Sequence, residues 1–191
     1  MTEPVFTVAN QLTMLRMALV PAFVLLTLSR EFTWALVVFV VAGLTDALDG
    51  YVARHANQST RLGAMLDPVA DKLLSGSAYV VLTWSSVVAC ALPVWLTVTL
   101  LFRDAMIVVG VVVVNLTMGP REFRSSLLGK ASTALTLATG AAVLAANATG
   151  ECPAALRWLY AATLAVLIAS TGHYVYQASE HAPRRTTGSG P

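Results

Sequence analysis

Long apolar runs alternate with short polar links along almost the whole chain. Six stretches each hold about 20 mostly apolar residues, enough for a helix to cross the hydrocarbon core of a bilayer. They are roughly 10–29, 33–53, 64–89, 92–116, 130–149 and 154–177, and the links between them carry most of the turn formers and charges. No repeat at a fixed period is visible. The first run is too long for a signal peptide, is interrupted by Arg16 and is followed by no small-residue cleavage site. The pattern predicts an all-α integral membrane protein with six transmembrane helices. They form one domain over residues 1–178, followed by a disordered tail at 179–191 that contains "APRRTTGSGP".

Composition sharpens this. Hydrophobic residues make up 57% of the 191, the mean hydropathy is +0.71, and charged residues are 12%. That is about half the charge of a soluble domain. A water-soluble chain of this size could not hide so much apolar surface. The net charge of +2 and the scattered basic residues point away from a nucleic-acid partner, and no glycine-rich dinucleotide turn is present.

Charge bias then sets the orientation. With six spans, one side carries Arg54, Arg61, Arg121, Arg124, Lys130, Arg184 and Arg185, and the other Arg30 and Arg157. The expectation is a multi-pass protein of the inner or plasma membrane with both termini and the Arg54–Arg61 link in the cytoplasm. Cys90 and Cys152 fall near the extracytoplasmic ends of spans three and five. Their spacing matches no zinc ligand set. Two isolated thiols are expected, with a disulfide as the alternative in an oxidising compartment.

Five of the ten acidic residues fall inside spans: Asp46, Asp49, Asp67, Asp71 and Asp104. A charge near the bilayer centre costs about 2.5–3.5 kcal/mol on insertion scales, so each needs a partner, water or a metal. Asp46 and Asp49 are three apart and share a helix face; Asp67 and Asp71 are four apart and do the same. A short link makes spans two and three antiparallel neighbours, so the four carboxylates converge just inside the cytoplasmic face. Together they would repel strongly at low dielectric. Either some hold protons or divalent cations sit among them. Oxygen-only donors suit Mg²⁺, Mn²⁺ or Ca²⁺ rather than zinc, and paired cations suit phosphoryl chemistry. His55 reads as a solvated residue of the link. Gly50, Ala53 and Gly63 would let a bulky ligand approach the backbone, or let helices pack closely. Arg54 is placed to grip a phosphate and to anchor the inner face.

The order Asp46, Asp49, Gly50, Ala53, Arg54, Gly63, Asp67, Asp71 resembles the eight-position signature of the CDP-alcohol phosphatidyltransferase family at every position. "NQLTMLRMALVP", with Asn10, Thr13, Arg16 and Pro21, resembles that family's opening helix, and "LDPVADK" resembles its phosphatidylglycerophosphate synthases and cardiolipin synthases. The likeness covers roughly residues 8–177. It implies a six-helix membrane enzyme, usually a homodimer, that transfers a phosphatidyl group from CDP-diacylglycerol to an alcohol and releases CMP. It implies Mg²⁺ or Mn²⁺, as two ions, on Asp46, Asp49, Asp67 and Asp71. Asp71 would also be the catalytic base. Gly50, Ala53 and Gly63 would accommodate the CDP moiety, and Arg54 would touch its diphosphate.

The acceptor is less defined. Arg103-Asp104 in "FRDAMIVVG", and "AGLTDALDG", resemble the eukaryotic-type cardiolipin synthases, whose acceptor is phosphatidylglycerol. Phosphatidylglycerophosphate synthases, which use glycerol 3-phosphate, more often have Arg-Glu at the first of these. "GKASTALT" resembles a family stretch in which relatives often carry lysine at the place of Ser132 and glutamine at that of Thr136. A guanidinium within a span has an anionic partner, and Asp104, adjacent in sequence, is expected to point about 100° away around the helix. Arg103 is therefore expected to face the acceptor pocket, with Lys130 beside it or serving as an interfacial anchor. The rival from another class is an ion-coupled transporter using the same carboxylates. Against it stand their clustering near one face and the lack of broken helices or an inverted repeat.

Overall fold

A computed structural model describes the backbone of residues 8–56, 61–84, 86–118 and 127–180, and the side chains of 14–45, 72–84, 86–110 and 128–174. Among the described residues six helices follow in order: α1 (Val8–Leu28), α2 (Phe32–Ala56), α3 (Arg61–Thr83), α4 (Val94–Met118), α5 (Leu127–Thr149) and α6 (Ala155–Glu180). No strand occurs among the described residues. At 21–26 residues each, a straight helix of this length is about 32–39 Å long, comparable to a bilayer core.

α1 packs against both α2 and α3; α5 packs against α2, α3 and α6; α4 bridges α3 and α6. The core is a seam through these contacts, formed by Phe23, Phe39, Leu74, Tyr79, Leu96, Leu100, Val143, Leu144 and Leu167. Small residues set the closest approach. At Gly140 on α5, an added Cβ would lie 3.0 Å from Cζ of Phe39 on α2. Hydroxyl pairs then tie neighbours together: Thr83 to Thr97 between α3 and α4, Tyr79 Oη donating to the Thr136 carbonyl (3.0 Å), and Thr139 to Thr163 (2.7 Å) between α5 and α6. These bonds satisfy polar atoms without water, as a lipid environment requires.

The outward faces of the described segments are mainly apolar. Large apolar side chains stand exposed on every helix, among them Leu25, Val41, Val80, Val98, Leu128 and Ile168. Water would not accept so large a continuous apolar surface. Among the described residues, two helices are long and apolar enough to cross a membrane, over Leu128–Thr149 and Ala155–Tyr174, with shorter apolar stretches at Met14–Leu28 and Phe32–Thr45.

Two expectations change. Span three was expected to run to residue 89, yet α3 ends at Thr83. The apolar stretch that follows is a connection, closed by Leu92 N donating to the Leu82 carbonyl (2.8 Å) and by Pro93 leading into α4. Hydropathy alone cannot separate an apolar loop from an apolar helix. Second, Cys90 and Cys152 are joined by a disulfide, with Cα atoms 5.6 Å apart, rather than standing as isolated thiols. Their sequence separation of 62 hides a proximity that the α3–α4 and α5–α6 connections create at one end of the bundle. Asn147 on α5 holds the bonded segment: its Oδ1 accepts from Cys90 N and its Nδ2 donates to Cys90 O, both at 3.0 Å.

Candidate active site

The eight signature positions occupy the last turns of α2 and the first half of α3. Asp46, Asp49, Gly50, Ala53 and Arg54 lie within Phe32–Ala56, and Gly63, Asp67 and Asp71 within Arg61–Thr83. Helical backbone through both segments keeps each aspartate pair within about one turn, which the spacing argument needs. The side chains of these eight residues lie outside the described set, as do those of Arg61 and Arg121–Arg124. Among the described residues no three His, Cys, Asp or Glu side chains form a metal-binding group.

The described part of the site begins at Lys72, one residue beyond Asp71. Lys72 Nζ donates to Asp104 Oδ1 at 3.0 Å, joining α3 to α4. Arg103 Nη1 donates to the same oxygen, also at 3.0 Å. Arg103 Nη2 reaches Ser132 Oγ on α5 (2.7 Å) and Ser170 Oγ on α6 (3.3 Å). Arg103 is 4% exposed and Asp104 8%. A charge so buried must be paired and hydrogen-bonded to persist, and here one carboxylate and two hydroxyls from three helices meet one guanidinium. Arg103 Nε is buried and makes no hydrogen bond among the described residues.

Asp104 therefore does not point away from Arg103 as expected. Successive helical residues do diverge by about 100°, but that angle governs the Cα–Cβ direction. The guanidinium sits several bonds further out and curls back to its neighbour's carboxylate. Arg103 lies buried inside the bundle. Lys130 does not join it: its side chain is exposed, two residues and more than half a helical turn from Ser132. The sequence reading missed Lys72, Ser132 and Ser170 as partners of the Arg103–Asp104 pair. The available signal was charge: Lys72 and Asp104 are opposite charges inside neighbouring spans, and such charges pair with one another. Arg16 on α1 is fully buried as well, so three basic residues of the spans, with Arg103 and Lys72, turn inward or partly inward.

The family model for CDP-alcohol phosphatidyltransferase matches residues 6–171. The chain belongs to that family. Among its relatives are the cardiolipin synthase (CMP-forming) of Streptomyces coelicolor, 43% identical over 138 residues, which cover 69% of this chain and 62% of that protein. The human cardiolipin synthase (CMP-forming) is 44% identical over 110 residues, 57% of this chain and 35% of the relative. The CDP-diacylglycerol–glycerol-3-phosphate 3-phosphatidyltransferase of Escherichia coli is 48% identical over 82 residues, 41% of this chain and 44% of the relative. The chain thus spans less than two thirds of the length of each.

Proposed function

We propose that this chain is a multi-pass membrane enzyme that transfers a phosphatidyl group from CDP-diacylglycerol to the free hydroxyl of phosphatidylglycerol, releasing CMP and forming a cardiolipin. The observation that carries this reading is the complete eight-position pattern on the adjoining ends of α2 and α3 in a member of this family. All six helices span the membrane, two copies associate, and the carboxylate end faces the cytoplasm, as the seven-to-two bias of basic residues supports.

Asp46, Asp49, Asp67 and Asp71 would hold two Mg²⁺ or Mn²⁺ ions; the donor set is all oxygen, which suits these ions. When bound, they neutralise the diphosphate and make its phosphorus more electrophilic. The chain's own residues do the rest. Asp71 accepts the proton of the acceptor hydroxyl at its carboxylate. The hydroxyl oxygen then bonds to the phosphorus bearing diacylglycerol, and the bond from that phosphorus to CMP breaks, its electron pair leaving with CMP. Gly50, Ala53 and Gly63 leave room for the cytidine diphosphate, and Arg54 contacts its phosphates. Arg103, held by Asp104, Ser132 and Ser170, presents its charge to the acceptor.

Phosphatidylglycerol is favoured as acceptor because the relatives matched over the longer spans carry the name cardiolipin synthase. The second reading, glycerol 3-phosphate, rests on the shorter match to the Escherichia coli enzyme. Purified protein given CDP-diacylglycerol and Mn²⁺ is offered each acceptor in turn, and the lipid product is weighed. Cardiolipin with CMP is the expected outcome, and phosphatidylglycerophosphate would establish the second reading. If no CMP appears with any alcohol, the enzymatic reading fails. Asp71→Asn should stop transfer while CDP-diacylglycerol still binds.

A further inference from the structure

The chain has four tryptophans and two cysteines, and all six lie at one end of the bundle. Trp34 is on the first turn of α2, Trp84 directly follows α3, and Trp95 and Trp158 are on the first turns of α4 and α6. Consecutive helices reverse direction, so these positions share the end at which α1, α3 and α5 finish. The signature aspartates lie toward the other end; from Asp71 to Thr83 the α3 axis alone advances about 18 Å. The indoles are 62%, 63%, 47% and 81% exposed for Trp34, Trp84, Trp95 and Trp158, so none of them serves the core.

The distribution of the indoles indicates what covers them. α2 packs on α1 and α5, whereas α4 packs on α3 and α6, and α2 touches neither α4 nor α6 among the described residues. The tryptophans are therefore spread around the bundle at one level instead of forming one patch. A protein partner needs a contiguous patch; a membrane–water boundary meets a ring. Indoles favour that boundary because the ring is apolar and its N–H finds water or lipid carbonyls.

We propose that this end is extracytoplasmic, with the four tryptophans seated in the outer-leaflet interface and the Cys90–Cys152 bond closing the bundle in the oxidising space beyond. The proposal rests on the membrane-spanning reading above. The bond itself argues for the side, since disulfides persist outside the reducing cytosol. Forming it removes two electrons and two protons from the two thiols; a disulfide-bearing oxidant accepts them by exchange and ends as two thiols. The surrounding contacts brace the same end. Arg30 Nη2 donates to the Ser86 carbonyl at 3.0 Å, linking the α1–α2 turn to the α3–α4 connection, and Asn147 fixes Cys90 to α5.

Both readouts are unambiguous because no other cysteine or tryptophan exists in the chain. Spheroplasts expressing the full chain are treated with a maleimide to block free thiols, then with a charged, membrane-impermeant phosphine, then with a polyethylene-glycol maleimide. Two polymer additions per chain in intact spheroplasts, dependent on the phosphine, are expected. Loss of both sites to the first maleimide would show that no bond forms, and polymer addition confined to lysed membranes would place this end in the cytoplasm; either overturns the proposal. Recovery of the chain in the soluble fraction would overturn the membrane reading itself, a distinct result. For the anchor, the protein is placed in vesicles of phosphatidylcholine and phosphatidylglycerol carrying a nitroxide near the headgroup or deep in the acyl chain. Tryptophan emission should fall further with the shallow probe. Stronger quenching by the deep probe, or none by either, would refute the interfacial seat.

Discussion

Arg103 shows how one side chain can join four helices. Its Nη atoms reach Asp104, Ser132 and Ser170, and Asp104 in turn receives Lys72. Lysine at this position would keep the charge but not the planar fork that spans three partners. Losing a hydrogen bond to a charged group costs about 1.5–3 kcal/mol, so Arg103→Lys should lower stability by that order and let the charge leave its held position. The KM for the acceptor should then rise while that for CDP-diacylglycerol stays nearly unchanged. Steady-state kinetics with each substrate varied in turn would measure this, and equal rises would remove Arg103 from the acceptor side. Asp104→Asn should destabilise the fold by about 3 kcal/mol, because two inward cations lose their shared carboxylate, and a thermal melt in detergent would register it. At this scale the sequence was legible as far as residue type. A buried cation in a span announced itself and its neutralising carboxylate is the next residue, but the hydroxyls that complete its hydrogen bonds and the lysine that shares the carboxylate come from α5, α6 and α3. Spacing along α4 carries no information about them.

The elements were more legible than their ends. Apolar runs of span length located all six helices, because burial in lipid or core demands them whatever the packing. The run after Thr83 misled, since an apolar connection held by backbone bonds and a disulfide has the same hydropathy as a helix. The α2–α5 contact depends on a detail that only the folded chain reveals. Gly140 sits under Phe39, which is itself 2% exposed and packs against Phe23 with ring centroids 5.5 Å apart. In an open helix, glycine to alanine would gain about 1 kcal/mol. Here the new methyl would press on a ring that cannot retreat, and overpacking of this kind costs about 1–3 kcal/mol. Gly140→Ala should thus lower the thermal midpoint, and adding Phe39→Leu should recover part of the loss. An unchanged midpoint for the single variant would show that the ring can move after all.

At the scale of the whole molecule, the signature positions and the disulfide lie toward opposite ends of the bundle. The pattern on α2 and α3 was readable in full from the chain because its spacing is local, eight positions within 26 consecutive residues, Asp46 to Asp71. The far end was readable only in part: the spans placed Cys90 and Cys152 on one side, but their pairing across 62 residues stood only as the alternative. This division makes a prediction about the crosslink. Closing a loop of that length restricts the unfolded chain and stabilises the folded one by about 2–4 kcal/mol. The bond lies past Thr83, about 18 Å along the α3 axis from Asp71, so its loss should loosen the bundle without altering the chemistry. Cys90→Ser with Cys152→Ser should therefore lower the thermal midpoint by several degrees, roughly 2–4 °C per kcal/mol for a chain of this size. Transfer per folded molecule, measured well below that midpoint, should stay within about twofold of the parent enzyme, a barrier change of under 1 kcal/mol. A steep fall in turnover with an unchanged midpoint would mean instead that the two ends are coupled through the bundle. The route to examine would then be α3, which carries Asp67, Asp71 and Lys72 at one end and leads directly into the Cys90 connection at the other.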